Sequence, residues 1–150
     1  MPDYHLAQFN IARMRAPLTD PLMADFIAQL APINALADQS PGFVWRLQSE
    51  GGDATNIRPY GDEPILVNMS VWESVEHLRD YVYRSAHTGA LRDRKQWFEK
   101  FDGASYALWW IQVGQLPTVE EGKARLDYLH EHGETPYAFS FQHIFPRPNE

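Results

Sequence analysis

The alternation of apolar and polar side chains is clearest over residues 65–72, where Ile65, Val67, Met69 and Val71 share one face and Leu66, Asn68, Ser70 and Trp72 share the other. That pattern predicts a strand with one purely apolar side and one mixed side. Tyr4 to Ala12 reads the same way, with Leu6, Gln8 and Asn10 opposite His5, Ala7, Phe9 and Ile11. Phe43 to Gln48, Ser105 to Val113 and Tyr137 to Phe145 complete the predicted strands. Helical spacing takes over in between. Thr19-Asp20-Pro21 supplies a cap and a proline first turn, followed by Met23, Phe26, Ile27, Leu30 and Ile33 or Asn34. Pro32 is expected to kink or interrupt that helix. Ser74 caps a second helix through Val75, Leu78, Tyr81, Val82 and Ser85, and a further helical segment is expected from Ala90 to Phe101. Thr118 and Glu121 form a capping box for a helix through Val119, Gly122, Leu126 and Leu129, which Gly133 stops.

The order is β-α-β-β-α-β followed by an α-β extension, and its first six elements match the split β-α-β arrangement of ferredoxin-like folds. No repeat or linker divides the chain, so residues 1–150 are expected to form one α+β domain. From Ser49 to Pro64 runs a glycine- and proline-rich loop, long enough for a lid or an arm reaching a partner.

Composition narrows the function. The chain has 150 residues, no cysteine and a net charge of −7. Disulfides, thiolate metal sites and a cysteine nucleophile are excluded. The basic run Arg92-Asp93-Arg94-Lys95 is interrupted by its own aspartate, so neither nucleic acid nor an anionic membrane is an expected partner. No apolar run approaches the roughly 20 residues of a membrane span, and no signal segment is apparent, so the expected compartment is the cytoplasm. No metal is expected: His130 and His132, two apart, point to different sides of a helix. Gly51-Gly52 lacks the strand and helix context of a nucleotide-binding loop.

Val71-Trp72-Glu73-Ser74, then Leu78, Tyr81 and Arg84-Ser85-Ala86-His87, resembles the antibiotic-biosynthesis-monooxygenase superfamily of dimeric α/β barrels. With His5 to Ile11, Leu108-Trp109-Trp110 and Pro117 to Glu120, the chain resembles a bacterial family of unknown function within it. The resemblance implies a homodimer packed through helix-free sheet faces. The mixed face of Asn68, Ser70 and Trp72 is then expected to look toward a partner or a cavity, uncovered by helices.

The resemblance also implies chemistry. His87, Asn10 and Tyr81 stand roughly where heme-degrading relatives carry a histidine, an asparagine and a tryptophan. Cofactor-free oxygenases of the superfamily instead take an aromatic substrate that supplies its own electrons. On that reading no cofactor is needed, His87 is a general base, and Asn10, Asn68 and Tyr81 donate hydrogen bonds to an oxyanion. Trp72, Tyr83 and Trp110 could wall an aromatic pocket, although which of Trp109 and Trp110 faces it stays open. Arg46, on an otherwise apolar strand, could reach an anionic group or an acidic side chain. Three functions remain: a cofactor-independent oxygenase for a small aromatic or polyketide-like substrate, a non-catalytic small-molecule-binding dimer, and a heme-binding or heme-degrading protein.

Overall fold

The computed structural model describes residues 4–48, 59–61, 63–86, 94–100 and 104–148. Strand β1 (Tyr4–Met14) leads through a short 3-10 turn into helix α1 (Ala24–Gln39). Strands β2 (Phe43–Arg46) and β3 (Ile65–Trp72), helix α2 (Val75–Ala86), strands β4 (Phe98–Glu99) and β5 (Tyr106–Gln112) and helix α3 (Val119–His132) follow. All strand pairings are antiparallel. β1 is central, with β3 on one edge and β5 on the other, and β2 lies outside β3. This is the ferredoxin-like order, with β5 as its fourth strand. β4 adds a short pairing at the far end of β1, Arg13 opposite Glu99 and Met14 opposite Phe98.

Local chemistry sets most boundaries. Asp20 Oδ1 accepts from the Leu22 amide at 2.9 Å, and Pro21 opens the turn ahead of α1. Ser74 Oγ accepts from the His77 amide at 3.1 Å, satisfying a donor in the first turn of α2. Thr118 caps α3 through the Glu121 amide at 3.1 Å, but Glu121 does not complete the expected box. Its carboxylate pairs one turn on with Arg125 at 3.0 Å. Gly133 ends α3 with φ 78°, a conformation that favours glycine.

Four sequence expectations need correction. α1 runs through Pro32 to Gln39; Pro32 and Ala28 are both exposed, so the carbonyl that loses its amide partner lies on the solvent side. The helix expected over 90–101 is, within the described residues, a 3-10 turn at Arg94–Gln96 followed by β4. There Trp97 is buried with Met14, Met23 and Leu66. The last strand contracts to two isolated bridges, Ala138 opposite Thr135 and Phe139 opposite Leu108, the latter held by amide–carbonyl bonds of 2.7 and 3.0 Å. Beyond them the chain turns, because Phe139 and Phe145 pack together against the sheet and do not alternate along an edge.

The fourth correction concerns the two sheet faces. The purely apolar face, with Ala7, Phe9, Met69, Val71 and Trp109 fully buried, is covered by Leu126 and Leu129 of α3. The mixed face lies beneath α1 and α2. Leu6 and Trp72 pack there with Ala37, Val75 and Leu78. The described sheet therefore has no helix-free face. Alternation along a strand shows that two faces differ, but it does not say which helix returns to which face. Only part of the Ser49–Pro64 loop lies within the described residues. Tyr60 packs against the α3 side, with the Lys123 ammonium 4.8 Å from its ring, so this end of the loop lies on the face opposite the mixed one.

Candidate functional site

Between the mixed sheet face and helices α1 and α2 lies a cavity of about 440 Å³. α1 contributes Phe26, Gln29, Leu30, Ile33 and Asn34, a spacing that places them on one helical face. α2 contributes Leu78, Tyr81, Val82 and Ser85 by the same geometry. The sheet supplies Gln8, Asn10, Asn68, Tyr106 and Leu108, and Phe98 and Phe141 also line it. Among the described residues, every lining side chain is uncharged.

The polar groups are organised into a row. Asn10 and Asn68 are direct partners across β1 and β3, as are Gln8 and Ser70. Asn10 Nδ2 donates to Gln8 Oε1 at 2.8 Å. Gln8 Nε2 donates to Asn68 Oδ1 at 3.1 Å and to Ser70 Oγ at 2.7 Å. Trp72 Nε1 closes the row by donating to the same hydroxyl at 2.8 Å. Gln8, Ser70 and Trp72 are buried, whereas Asn68 is exposed and Asn10 half-buried. The row thus starts in the core and ends at the cavity.

Tyr81 stacks on Trp72, with centroids 5.0 Å apart and planes 26° from parallel. Burial pushes its hydroxyl up to about 12, and the Arg46 charge offsets this only in part. At neutral pH Tyr81 is therefore a neutral phenol, able to donate a hydrogen bond but unable to act as a base. Tyr106 also lines the cavity, and its hydroxyl oxygen accepts from the Phe141 amide at 3.0 Å, tying the C-terminal segment to this end of the site.

Of the residues singled out from sequence, Asn10, Asn68 and Tyr81 meet at the cavity. Trp72 lies one layer deeper, beneath Tyr81 and behind Ser70. Arg46 forms a two-point ion pair with Asp38 of α1, at 2.8 and 3.4 Å, and is not a lining residue. Trp110 faces the C-terminal segment; its Nε1 donates to the Phe145 carbonyl at 2.9 Å, and the Arg147 guanidinium sits over its ring. Tyr83 is 69% exposed and absent from the lining. Its neighbours Tyr81 and Val82 take the inward helical positions. His87 lies outside the described residues. Sequence reasoning missed Gln8, Tyr106 and Phe141. Gln8 was findable, because it sits two residues from Asn10 on the same strand face. Phe141 was not, since a turn brings it to the cavity.

Heme does not fit the described lining. Its carboxylates call for cations and its iron for an axial ligand, but the described walls carry no cation or imidazole, and Tyr81 is un-ionised. Nor do the described residues contain a cluster of His, Asp or Glu suited to a metal ion.

Comparison with solved structures gives a low-identity likeness to several small α+β proteins. SnoaB, a cofactor-independent oxygenase from Streptomyces nogalater, is 17% identical, with 78% of this chain and 100% of that one covered and a TM-score of 0.43. A protein of unknown function from Nitrosomonas europaea is 13% identical over 77% and 97% of the two chains, with a TM-score of 0.47. A nipsnap family protein from Agrobacterium tumefaciens, also of unknown function, is 10% identical over 78% and 95%, with a TM-score of 0.44. No curated protein matches the chain. The model of the domain of unknown function DUF3291 matches residues 5–150, and the chain belongs to that family.

Proposed function

We propose that the cavity is the binding and reaction chamber of a monooxygenase-like enzyme that takes a small, uncharged aromatic or polyketide-like molecule and needs no bound cofactor. The observation that carries this reading is the chamber itself: about 440 Å³, uncharged along its described walls, mainly apolar with a few polar groups on the helix side and amide-lined on the sheet side. An electron-rich ring would be desolvated there against Phe26, Leu30, Ile33 and Leu78. Its oxygen substituent would meet the amide row. Amide hydrogen bonds to that oxygen favour a developing phenolate or enolate, the form that gives electrons to dioxygen. In the simplest balanced reaction a ring CH2 becomes a carbonyl. Dioxygen is reduced, one oxygen atom entering the product and the other leaving as water.

One observation favours a second reading, binding without turnover. No described lining residue is a carboxylate, imidazole or amine that could take the CH2 proton at neutral pH. The general base expected from sequence, His87, lies outside the described residues. An oxygen electrode separates the readings with anthrone as the test substrate. The enzyme reading expects one dioxygen consumed per anthraquinone formed, and Asn68→Ala should slow turnover by about a hundredfold. Saturable anthrone binding with no oxygen uptake above the uncatalysed rate would leave the binding reading. Absence of binding would refute both. A titration with hemin should leave the Soret band of free hemin unshifted.

A further inference from the structure

Gln8 is the hub of the polar row, and its side chain is spent within the protein. Its two Nε2 hydrogens go to Asn68 Oδ1 and Ser70 Oγ, and its Oε1 accepts from Asn10 Nδ2. A primary amide is a donor at one end and an acceptor at the other. The two asparagines touch opposite ends of the hub, so their outer ends must differ. Asn10 presents a carbonyl oxygen and Asn68 an amino group, neither with a protein partner among the described residues.

Turning the whole row end for end exchanges these roles without losing a bond. Ser70 can donate to Gln8 as well as accept from it, while still accepting from Trp72 Nε1 at 2.8 Å. In either sense one outer end donates and the other accepts. Their spacing is also set. Asn10 and Asn68 are directly opposed in an antiparallel pair, where Cα atoms stand about 4.5–5.5 Å apart.

We infer that the cavity selects a neutral planar ligand with one hydrogen-bond donor and one acceptor along a single edge, in a meta relation, such as a ring hydroxyl and a ketone. Gln8 is the positioning residue that imposes this polarity. The inference rests on the binding reading of the cavity given above. A carboxylate would bring two acceptors and a charge to a row with one donating and one accepting outer end, where no described lining residue is a cation. A ligand without a donor would leave the acceptor end of the row without a ligand partner, which sites built to hydrogen-bond a ligand group discriminate against.

Isothermal titration calorimetry on the full chain tests this with meta-hydroxybenzophenone, meta-methoxybenzophenone and meta-benzoylbenzoate. The hydroxyketone should bind at least about tenfold more tightly than either of the others. In Gln8→Leu the asparagines lose their imposed senses, and the preference should fall below about threefold while the hydroxyketone still binds. A merely structural role for Gln8 would lower the melting temperature and leave the preference intact, which would overturn the inference. Should Gln8→Leu fail to fold, Asn10→Ala, at a half-buried position, should remove the advantage of the hydroxyl; a retained advantage there also overturns it. If the three compounds bind the unaltered protein alike, the cavity reading stands and this inference falls. If none binds, both fall.

Discussion

Gly122→Ala tests the packing of α3 against the apolar sheet face. A Cβ at Gly122 would come within 2.5 Å of Phe9 Cδ1, 2.7 Å of Cγ and 3.1 Å of Cβ. Carbon atoms pack at about 3.5–4.0 Å, so helix or ring must retreat by about an ångström. The ring cannot retreat easily. Phe9 is fully buried, and its strand is paired with β3 and β5 on either side. Overpacking of this kind costs about 1–3 kcal/mol, whereas the better helix propensity of alanine returns about 1 kcal/mol. We expect a net loss of up to about 2 kcal/mol, read as a melting temperature lowered by up to about 8 °C. Differential scanning calorimetry or urea denaturation measures it. The double variant Gly122→Ala with Phe9→Leu should recover part of the loss, since the smaller, more flexible side chain admits the new methyl group. Ligand binding in the cavity, on the opposite face, should not change. A Gly122→Ala protein more stable than the parent would show that only helix propensity is at work, and that α3 does not approach β1 as described.

Alkaline stability gives a second test. Burial raises the hydroxyls of Tyr60 and Tyr81 to about 12, in Tyr60 with help from the charges of Asp127 and Glu63. The unfolded chain loses these protons near the ordinary value of about 10, so stability from both groups is complete below pH 10 and is lost as pH rises toward 12. Denaturation followed by tyrosinate absorbance should be steep in that window, and Tyr60→Phe should flatten it. Gly42→Ala should destabilise by more than about 2 kcal/mol in urea denaturation, because Gly42 combines φ 80° with a Cβ position only 2.1 Å from the His77 ring. Arg46→Gln should cost less than about 1 kcal/mol, since its partner Asp38 is substantially exposed, yet it should move the Tyr81 titration further upward by removing a nearby positive charge.

Strand periodicity made the sheet legible because burial on both faces constrains each residue. Ile65–Trp72 has the same bounds in sequence and structure, and the two faces of β1 are those its alternation separates. Asn10, Asn68 and Tyr81 were legible as site residues for a related reason: they are polar or amphipathic groups on a mixed face, where a core alone would place Val or Leu. What periodicity cannot carry is the third dimension of the chain path. Phe98 and Glu99 fit a helical window, but pairing at Arg13–Met14 draws them into β4. Phe139, Phe141 and Phe145 alternate as in a strand, yet aromatic packing against Tyr106 and Leu108 folds them over the sheet. Arg46 reads as a ligand group until α1 is docked, and then Asp38 pairs with it.

The two sheet faces divide the work of the molecule, and that division bears on assembly. Although the resemblance implies a partner or a cavity on the mixed face, the face with the most complete apolar alternation would bury most against a second sheet. Here Gly122, Leu126 and Leu129 of the same chain occupy it, with Gly122 directly against Phe9. Burying each large apolar side chain on that face contributes about 1.5–3 kcal/mol. Displacing α3 to admit a second sheet would first forfeit that contribution, and the new contact would only replace it. In this chain α3 therefore already supplies the apolar cover of that face. The open space lies on the other, mixed face, where Gln8, Asn10 and Asn68 line the cavity beneath α1 and α2.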